Sequence, residues 1–372
     1  MEIVSVIVPV YYGNKYLENI KKMMDHNQQY LSIDGKYELE VIIVNDSPDV
    51  EIISPDVSWY VLNNQKNVGI HQSRINGLKQ ARGTYILFLD QDDTIAENYF
   101  FTQLKYIQSA DAVVCNGYWK NNQVIYDQMP DVVTDIWTKA GSPMASPGQV
   151  LLRKNSIPQE WENNVMHCSG ADDYLLWILM ALHQARFVLN GQKLYRHVET
   201  GENASRNWKK MADSDREIRH IVQSLQIDEE KKEKLGTLLS NEIGFFDEYV
   251  FLEEGLKYMA SHTNSVKSYM HHKENKRAII IYGYGLFGMQ LHKCLLQSEI
   301  DVRYIIDQHA ERFMNADLFK TSDEDNLDID EQDLIIITPL RYVDDIRKQL
   351  YEMGIKNTCS IKDFVKDVIC GE

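Results

Sequence analysis

The sequence predicts an α/β protein built on a doubly wound, mostly parallel sheet, and three observations predict it. Largely apolar runs without helical spacing recur at residues 3–8, 39–44 and 85–89, the pattern of strands buried on both faces. Segments with apolar residues at helical spacing alternate with them. The runs also end in polar residues, which fall where an open α/β sheet receives its ligands.

Residues 3–8 read as a first strand stopped by Pro9, followed by a loop of Tyr11, Tyr12 and Gly13. Asn14 is placed to cap a helix that carries Tyr16, Leu17, Ile20, Met23 and Met24. A second strand, 39–44, ends at Asn45-Asp46-Ser47-Pro48, and a third, 59–62, leads to Asn67-Val68-Gly69. Residues 71–81 read as a helix, stopped at Gly83 before the fourth strand at 85–89. Strand, helix, strand, strand, helix, strand over about 90 residues is a doubly wound unit.

The fourth strand runs straight into Asp90, Asp92 and Asp93. Crowded carboxylates raise one another's pKa unless a cation neutralises them. Oxygen ligands of this kind suit Mg²⁺ or Mn²⁺, which keeps waters and completes its shell with substrate phosphates. The plainer reading is that Asp92 or Asp93 caps a helix starting near Ala96. Together with Tyr11 as an aromatic face and Asp46 as an acceptor for a base N–H, the carboxylates suit a nucleotide diphosphate. Arg74 and Asn76, on the helix before the fourth strand, complete that pocket. Each also has a plain reading: Asp46-Ser47-Pro48 makes a turn unaided, and Arg74 suits a solvated helix face.

Composition limits the rest. With 372 residues, 44% hydrophobic and 25% charged, the chain reads as two or three soluble domains. A net charge of −16 argues against a nucleic-acid partner and against broad adhesion to anionic lipid, while a local basic patch for peripheral membrane contact is compatible with it. No run of about 18 apolar residues is present, and the first residues lack the basic flank of a signal peptide, so a cytoplasmic location is expected. Cys115, Cys168, Cys294, Cys359 and Cys370 have no zinc or disulfide spacing and read as reduced thiols.

Four motifs occur in a telling order: Val-Ser-Val-Ile-Val-Pro-Val-Tyr at 4–11, Val-Ile-Ile-Val-Asn-Asp-Ser at 41–47, Asn-Val-Gly-x-x-x-Ser-Arg-Ile-Asn-Gly at 67–77 and Tyr-Ile-Leu-Phe-Leu-Asp-Gln-Asp-Asp at 85–93. The stretch resembles the nucleotide-sugar-binding half of family 2 glycosyltransferases, with their GT-A fold. The resemblance implies that Pro9, Tyr11, Asp46, Arg74, Asp90 and Asp92 lie on the donor nucleotide, with Asp46 at the base, usually uracil. It also implies that Asp90-Gln91-Asp92 is a D-x-D motif holding ribose and divalent metal, with Asp93 beside it. Ser73 stands where the family often has alanine.

Past the aspartates, 96–109 reads as a helix, 112–115 as a strand and 149–153 as another. Trp137 and Trp161 suit a sugar platform or, more simply, the core. The apolar helix after Cys168 opens with Asp172 and Asp173, which either favour its dipole or supply a general base for an acceptor hydroxyl. This start resembles the family's Glu-Asp motif, which makes Asp173 the expected base and Asp172, in place of glutamate, its neighbour. Residues 194–206 resemble the Tyr-Arg-x-His…Asn-x-Ser segment that ends such domains. His197 comes one residue early, and is expected either as a metal ligand beside Asp92 and Asp93 or as a packed histidine.

Residues 208–273 read as a charged helical connector offering a dimer surface, hence a homo-oligomer. A strand at 277–282 then leads to Gly283-Tyr284-Gly285-Leu286-Phe287-Gly288 and a helix at 289–297, with Asp307 ending the next strand. A G-x-G-x-x-G in that context, with an acid about 20 residues on, predicts a smaller Rossmann-like domain over 274–372. Gly283, Gly285, Gly288 and Asp307 are its candidate nucleotide site, against the plain reading of a fold kept for assembly. The acidic stretch 323–333 lacks calcium-loop spacing.

The expected organisation is therefore a glycosyltransferase domain over 1–207, a connector over 208–273 and the smaller domain. The expected activity is metal-dependent, inverting transfer from a UDP-sugar to a hydroxyl of a glycan or lipid-linked acceptor in bacterial surface polysaccharide synthesis, at the inner face of the membrane. A nucleotidyltransferase would want a Gly-rich basic loop after the first strand, where only Lys15 stands. A non-catalytic nucleotide-binding scaffold would not need both Asp92 and Asp173.

Overall fold

The computed structural model describes residues 1–119, 122–168, 170–198, 200, 207–272, 278–310, 318–320 and 327–370. The chain divides into two compact units, Met1–Phe246 and Asp247–Glu372.

The first unit runs β1 (Glu2–Val10), α1 (Asn14–Leu31), β2 (Tyr37–Asn45), β3 (Tyr60–Asn63), α2 (Ile70–Gln80), β4 (Tyr85–Phe88), β5 (Thr94–Ile95), α3 (Tyr99–Gln103), β6 (Ala112–Tyr118), α4 (Val132–Thr138), β7 (Val150–Arg153), α5 (Gln159–Asn163), α6 (Asp172–Leu182), β8 (Phe187–Arg196) and α7 (Trp208–Ser224). Its eight strands form one mixed sheet in the order β3-β2-β1-β4-β7-β6-β8-β5. β1, β2, β3 and β4 are mutually parallel, as the sequence predicts, while β7 lies antiparallel between β4 and β6. The alternating faces of these strands feed two apolar layers. Ile7, Ile42, Val44 and Phe88 pack with α2 and α6 on one side. Val6, Val8, Ile43 and Leu87 pack with α1 and α3 on the other.

Pro9 does not stop β1: it pairs with Val44 one residue before the strand ends. The Ile7 carbonyl accepts from Leu89 N and the Val10 carbonyl from Asp46 N, so alternate residues face opposite neighbours. Pro9 shares the side of Ile7, beyond Phe88, the last β4 residue paired to β1, and its missing N–H is not needed there. Asn14 is likewise not a cap. Gly13 holds that position, and the Asn14 side chain instead bonds the Glu51 carbonyl and Ile53 N at 2.9 and 3.2 Å. The helix expected over 96–109 is broken. After Asp93 the chain extends to pair Ile95 with Tyr195, so α3 starts only at Tyr99, with Asn98 at its cap. Asp92 and Asp93 therefore cap no helix.

The helices expected as a connector are divided. α7 belongs to the first unit, α8 (Glu229–Ser261) enters both, and α9 (Thr263–His272) belongs to the second. The second unit continues with β9 (Ile279–Tyr282), α10 (Leu286–Gln297), β10 (Val302–Asp307), β11 (Leu318–Lys320), β12 (Leu334–Ile337), α11 (Val343–Glu352), β13 (Thr358–Ser360) and α12 (Ile361–Cys370). Its sheet is parallel throughout, in the order β11-β10-β9-β12-β13. No helix among the described residues is long and apolar enough to cross a membrane.

Candidate active site

The carboxyl ends of β1, β2 and β4 bring Tyr11, Asp46 and Asp90 to one edge of the first sheet. Tyr11 and Tyr12 are half exposed, with ring centroids 4.6 Å apart and edge to face. Tyr12 sits at φ 48°, a conformation unusual for a bulky residue, held by Ser47 Oγ at 2.8 Å from its N–H and by its own hydroxyl on Asp49. Pro9 is buried in the strand behind them. Gln91 joins this loop to the aspartate turn: its Oε1 accepts from Tyr11 N at 3.0 Å and its Nε2 donates to the Tyr11 carbonyl at 3.2 Å.

Asp46 is buried and already serves three donors: Val68 N at 2.8 Å, Gly69 N at 2.9 Å and Asn64 Nδ2 at 2.9 Å. A carboxylate has about four acceptor sites, so about one remains for a ligand N–H. Asn64 is the hub of this corner. It also donates to Ser73 Oγ at 3.0 Å and accepts from Asn76 Nδ2 at 2.9 Å. The buried Ser73 is thus a polar anchor where alanine would leave Asn64 short of a partner. Asn76 supports the pocket wall through Asn64.

Arg74 is not a solvated helix residue. It is buried, and its fork donates through Nη1 to Asp172 Oδ2 at 2.7 Å and through Nη2 to Asp90 Oδ1 at 2.5 Å. Burial opposes its charge, but Asp172 and Asp90 outweigh burial and raise its pKa. One cation therefore brings the strand-end carboxylate of β4 and the first residue of α6 together. Asp90, even so paired, is raised by burial and by Asp93.

The three aspartates after β4 part company. Asp93 is 1% exposed and turned into the protein. It accepts from Tyr195 Oη, from Val198 N at 2.9 Å and from Ser146 Oγ at 3.3 Å, with His197 Nδ1 3.3 Å away. It therefore stands behind the site and orients His197. The His197 pKa is raised, chiefly by this Asp93 contact. With Nδ1 facing Asp93, Nε2 is the nitrogen left for a ligand, the arrangement in which a carboxylate fixes the tautomer of a metal-binding histidine. Asp92 is only partly exposed and touches Thr200 Oγ1 at 3.4 Å. Burial, then Asp93 and Asp90, push it up to about 6.

Among the described residues no group of three His, Cys, Asp or Glu is arranged to hold a metal. The donor set still fits Mn²⁺ or Mg²⁺. Asp92 carries unneutralised charge on a hard oxygen ligand, and such ions bind through one or two carboxylates with substrate phosphates supplying the rest. Asp93, with its oxygens committed, fits the second layer and not the ion. Asn203, Ser205 and Arg206 lie outside the described residues.

α6 begins with Ala171 at the cap position, which offers no side-chain oxygen. Asp172 is spent on Arg74. Asp173 is partly exposed, accepts from Tyr174 N at 2.9 Å, and is pushed up to about 7 by burial, Asp172 and Asp90 against the pull of Arg74. The two carboxylates of the pair thus have different surroundings: Asp172 is buried on Arg74, while Asp173 is partly exposed. Trp161 is fully buried against Phe88 and His71 and so forms no sugar platform, while Trp137 is partly buried and packs on the same core.

In the second unit, Gly283 has φ 94°, and a Cβ on Gly288 would stand 2.1 Å from the Gly283 carbonyl oxygen, so the motif needs these glycines. Asp307 accepts from Tyr284 N at 2.6 Å and His309 N at 2.7 Å, and its carboxylate is spent largely on shaping this turn. The Tyr284 hydroxyl lies 2.9 Å from His292 Nδ1 on α10.

Sequence reading missed Asn64, Gln91, Ser146, Tyr195 and the part played by α7. Asn64 was open to inference, being the polar residue that follows β3 as Asp46 follows β2.

Residues 5–171 match the family model described as Glycosyl transferase family 2, and residues 275–361 match one described as C2185-like, N-terminal. The chain is 30% identical over 128 residues to glycosyltransferase GlyG of Streptococcus pneumoniae, covering 32% of this chain and 40% of that protein. It is 25% identical over 249 residues to an uncharacterized glycosyltransferase of Haemophilus influenzae, covering 64% and 92%. With the minor teichoic acid biosynthesis protein GgaB of Bacillus subtilis it shares 36% identity over 110 residues, 27% of this chain and 12% of that one. Among solved structures, S. aureus TarS 1-349 in complex with UDP-GlcNAc aligns with a TM-score of 0.48 at 19% identity, over 65% of this chain and 72% of that one. The Pyrobaculum calidifontis mannosyltransferase PcManGT, in complex with GDP-Man and Mn2+, aligns with a TM-score of 0.44 at 14% identity, over 65% and 73%. The match to the glycosyl transferase family 2 model lies wholly within the amino-terminal unit.

Proposed function

We propose that the first unit is an inverting glycosyltransferase that moves a sugar from a nucleotide-diphosphate sugar, a UDP-sugar in the first instance, to a hydroxyl of a glycan or lipid-linked acceptor. The observation that carries this is the Arg74 bridge, which sets the carboxylates after β4 beside those opening α6. A donor-side charge cluster and an acceptor-side base in this reading stand side by side.

In this reading Tyr11 offers a face to the base and Asp46 its remaining acceptor site. Asp90, oriented by Arg74, meets the ribose. Asp173, at about 7, is poised for general-base work near neutral pH. It takes the proton of the acceptor hydroxyl as that oxygen bonds to the anomeric carbon from the face opposite the diphosphate. The bond from that carbon to the phosphate oxygen breaks, and its electron pair leaves with the nucleoside diphosphate. Asp92, with His197 Nε2, would hold Mn²⁺ or Mg²⁺, which when bound supplies positive charge to the leaving diphosphate. The family 2 match over 5–171 and the likeness to a teichoic acid biosynthesis protein support a role in surface polysaccharide synthesis.

A thermal-shift and calorimetric screen of UDP-, GDP- and dTDP-sugars, with and without Mn²⁺, tests the reading. Stabilisation by one nucleotide class and release of its diphosphate are expected. No stabilisation by any of them would overturn it.

A further inference from the structure

The segment that delivers Asp173 to the cleft has little structure of its own. Between α5 and α6 the described residues 164–168, 170 and 171 form no regular element, and Ala171 cannot cap the helix it opens. Backbone N–H groups in such a segment need acceptors from elsewhere. Here side chains of other helices supply them. Met166 N donates to His71 Nδ1 at 3.0 Å. His167 N and Cys168 N both donate to the Glu217 carboxylate, at 2.8 Å each. Ala171 N donates to Ser214 Oγ at 3.1 Å, and Ser214 Oγ lies 3.4 Å from the Cys168 carbonyl. Gly170, at φ 146°, lies so close to α7 that a Cβ there would stand 2.7 Å from Met211 Sδ.

Successive turns of α7, at Met211, Ser214 and Glu217, thus seat the entry to α6. Ser214 accepts from the N–H of the cap residue Ala171, the bond that a capping box would draw from within the helix, and Glu217 makes charge-assisted bonds to two consecutive N–H groups. The family 2 match ends at residue 171, so α7 lies outside it.

We propose that Ser214 and Glu217 are positioning residues for the acceptor-side base, acting on Asp173 through the backbone of His167, Cys168 and Ala171; this rests on the reading of Asp173 as the base. Glu217→Gln replaces one acceptor oxygen by a donor facing a backbone N–H, and Ser214→Ala removes the acceptor of Ala171 N. Either change lets the start of α6 shift, and a displacement of about 1 Å in a reacting group costs up to about 100-fold in rate.

The test uses the full chain with four readouts: the ¹³C titration of the Asp173 carboxyl, calorimetric affinity for UDP with Mn²⁺, thermal stability, and UDP release from the donor identified by screening. For Glu217→Gln the expected result is a downward shift of the Asp173 midpoint by about half a unit or more as water reaches it, with UDP affinity unchanged within about twofold. Turnover should fall at least about tenfold, and in an Asp173→Asn background the same change should add no further loss. Glu217→Asp, which keeps both acceptor oxygens, should fall between. A lower melting temperature with an unmoved midpoint and unmoved turnover would reduce both residues to structural parts and overturn the proposal. The base reading is judged separately: if Asp173→Asn turns over normally, that reading fails whatever Glu217 does.

Discussion

Arg74 Nη1 donates to Asp172 Oδ2 at 2.7 Å, fastening α2 to the start of α6 across 98 residues of sequence. The same guanidinium reaches Asp90, so its loss would leave Asp172 a buried charge with no cation and Asp90 a partly buried one. Arg74→Met should cost about 3–5 kcal/mol of stability, read by urea unfolding. Arg74→Lys keeps the charge but not the planar fork, and should retain more stability while turnover drops about 100-fold. Wild-type turnover in the lysine variant would disprove the bridging role.

The pH dependence of transfer follows from Asp173. A base acts as its carboxylate, so turnover should rise with pH through about 7, where burial and the neighbouring carboxylates place its midpoint. Asp173→Asn should remove that limb and lower the rate about 10²–10⁴-fold with nucleotide affinity intact. Should Asp172→Asn carry the rate loss instead, the assignments within the pair are reversed.

Asp92, pushed up to about 6, takes on a proton just below neutrality. Mn²⁺-dependent enhancement of UDP binding should therefore be strong at pH 7.5 and weak at pH 5. Asp92→Asn should abolish the enhancement at both while leaving the melting temperature near wild type. Calorimetry with and without the ion decides it, and equal enhancement in the variant would remove Asp92 from the metal site.

Asp215, on α7, is a buried acid pushed up to about 8 by burial, Glu242 and Asp173. Its folded pKa lies above its unfolded one, so folding takes up a proton between about pH 4 and 8. The contribution is complete below the unfolded value and is lost as pH rises through about 8, by up to about 1.4 kcal/mol per unit. Thermal melts from pH 5 to 9 should show this decline, and Asp215→Asn should flatten it. An equally steep decline in the variant would place its origin elsewhere.

Much of the fold was legible because buried parallel strands write themselves as apolar runs: residues 3–8, 39–44 and 85–89 all lie on paired strands or their immediate ends. The residues ending them were legible as a site because strand ends converge on one sheet edge. What stayed hidden depends on partners distant in sequence. Nothing local distinguishes Asp93 from Asp92, yet Tyr195 and Val198, more than 100 residues on, turn one inward. Likewise the extension after Asp93 is set by pairing with β8, which overrides the helical pattern of 96–109. The seating of α6 by α7 is invisible in α6's own residues, since the acceptors of the backbone that leads into it, Ser214 and Glu217, lie on another helix.

The two hydrogen bonds that Gln91 exchanges with the Tyr11 backbone have a kinetic consequence. They tie the aromatic wall to the aspartate turn, which favours a preformed edge over one that must close on its ligand. Capture of the nucleotide there should be a single bimolecular event, its observed rate climbing linearly with concentration. Loosening the joint with Gln91→Ala should introduce a plateau, the mark of a wall that must first find its shape.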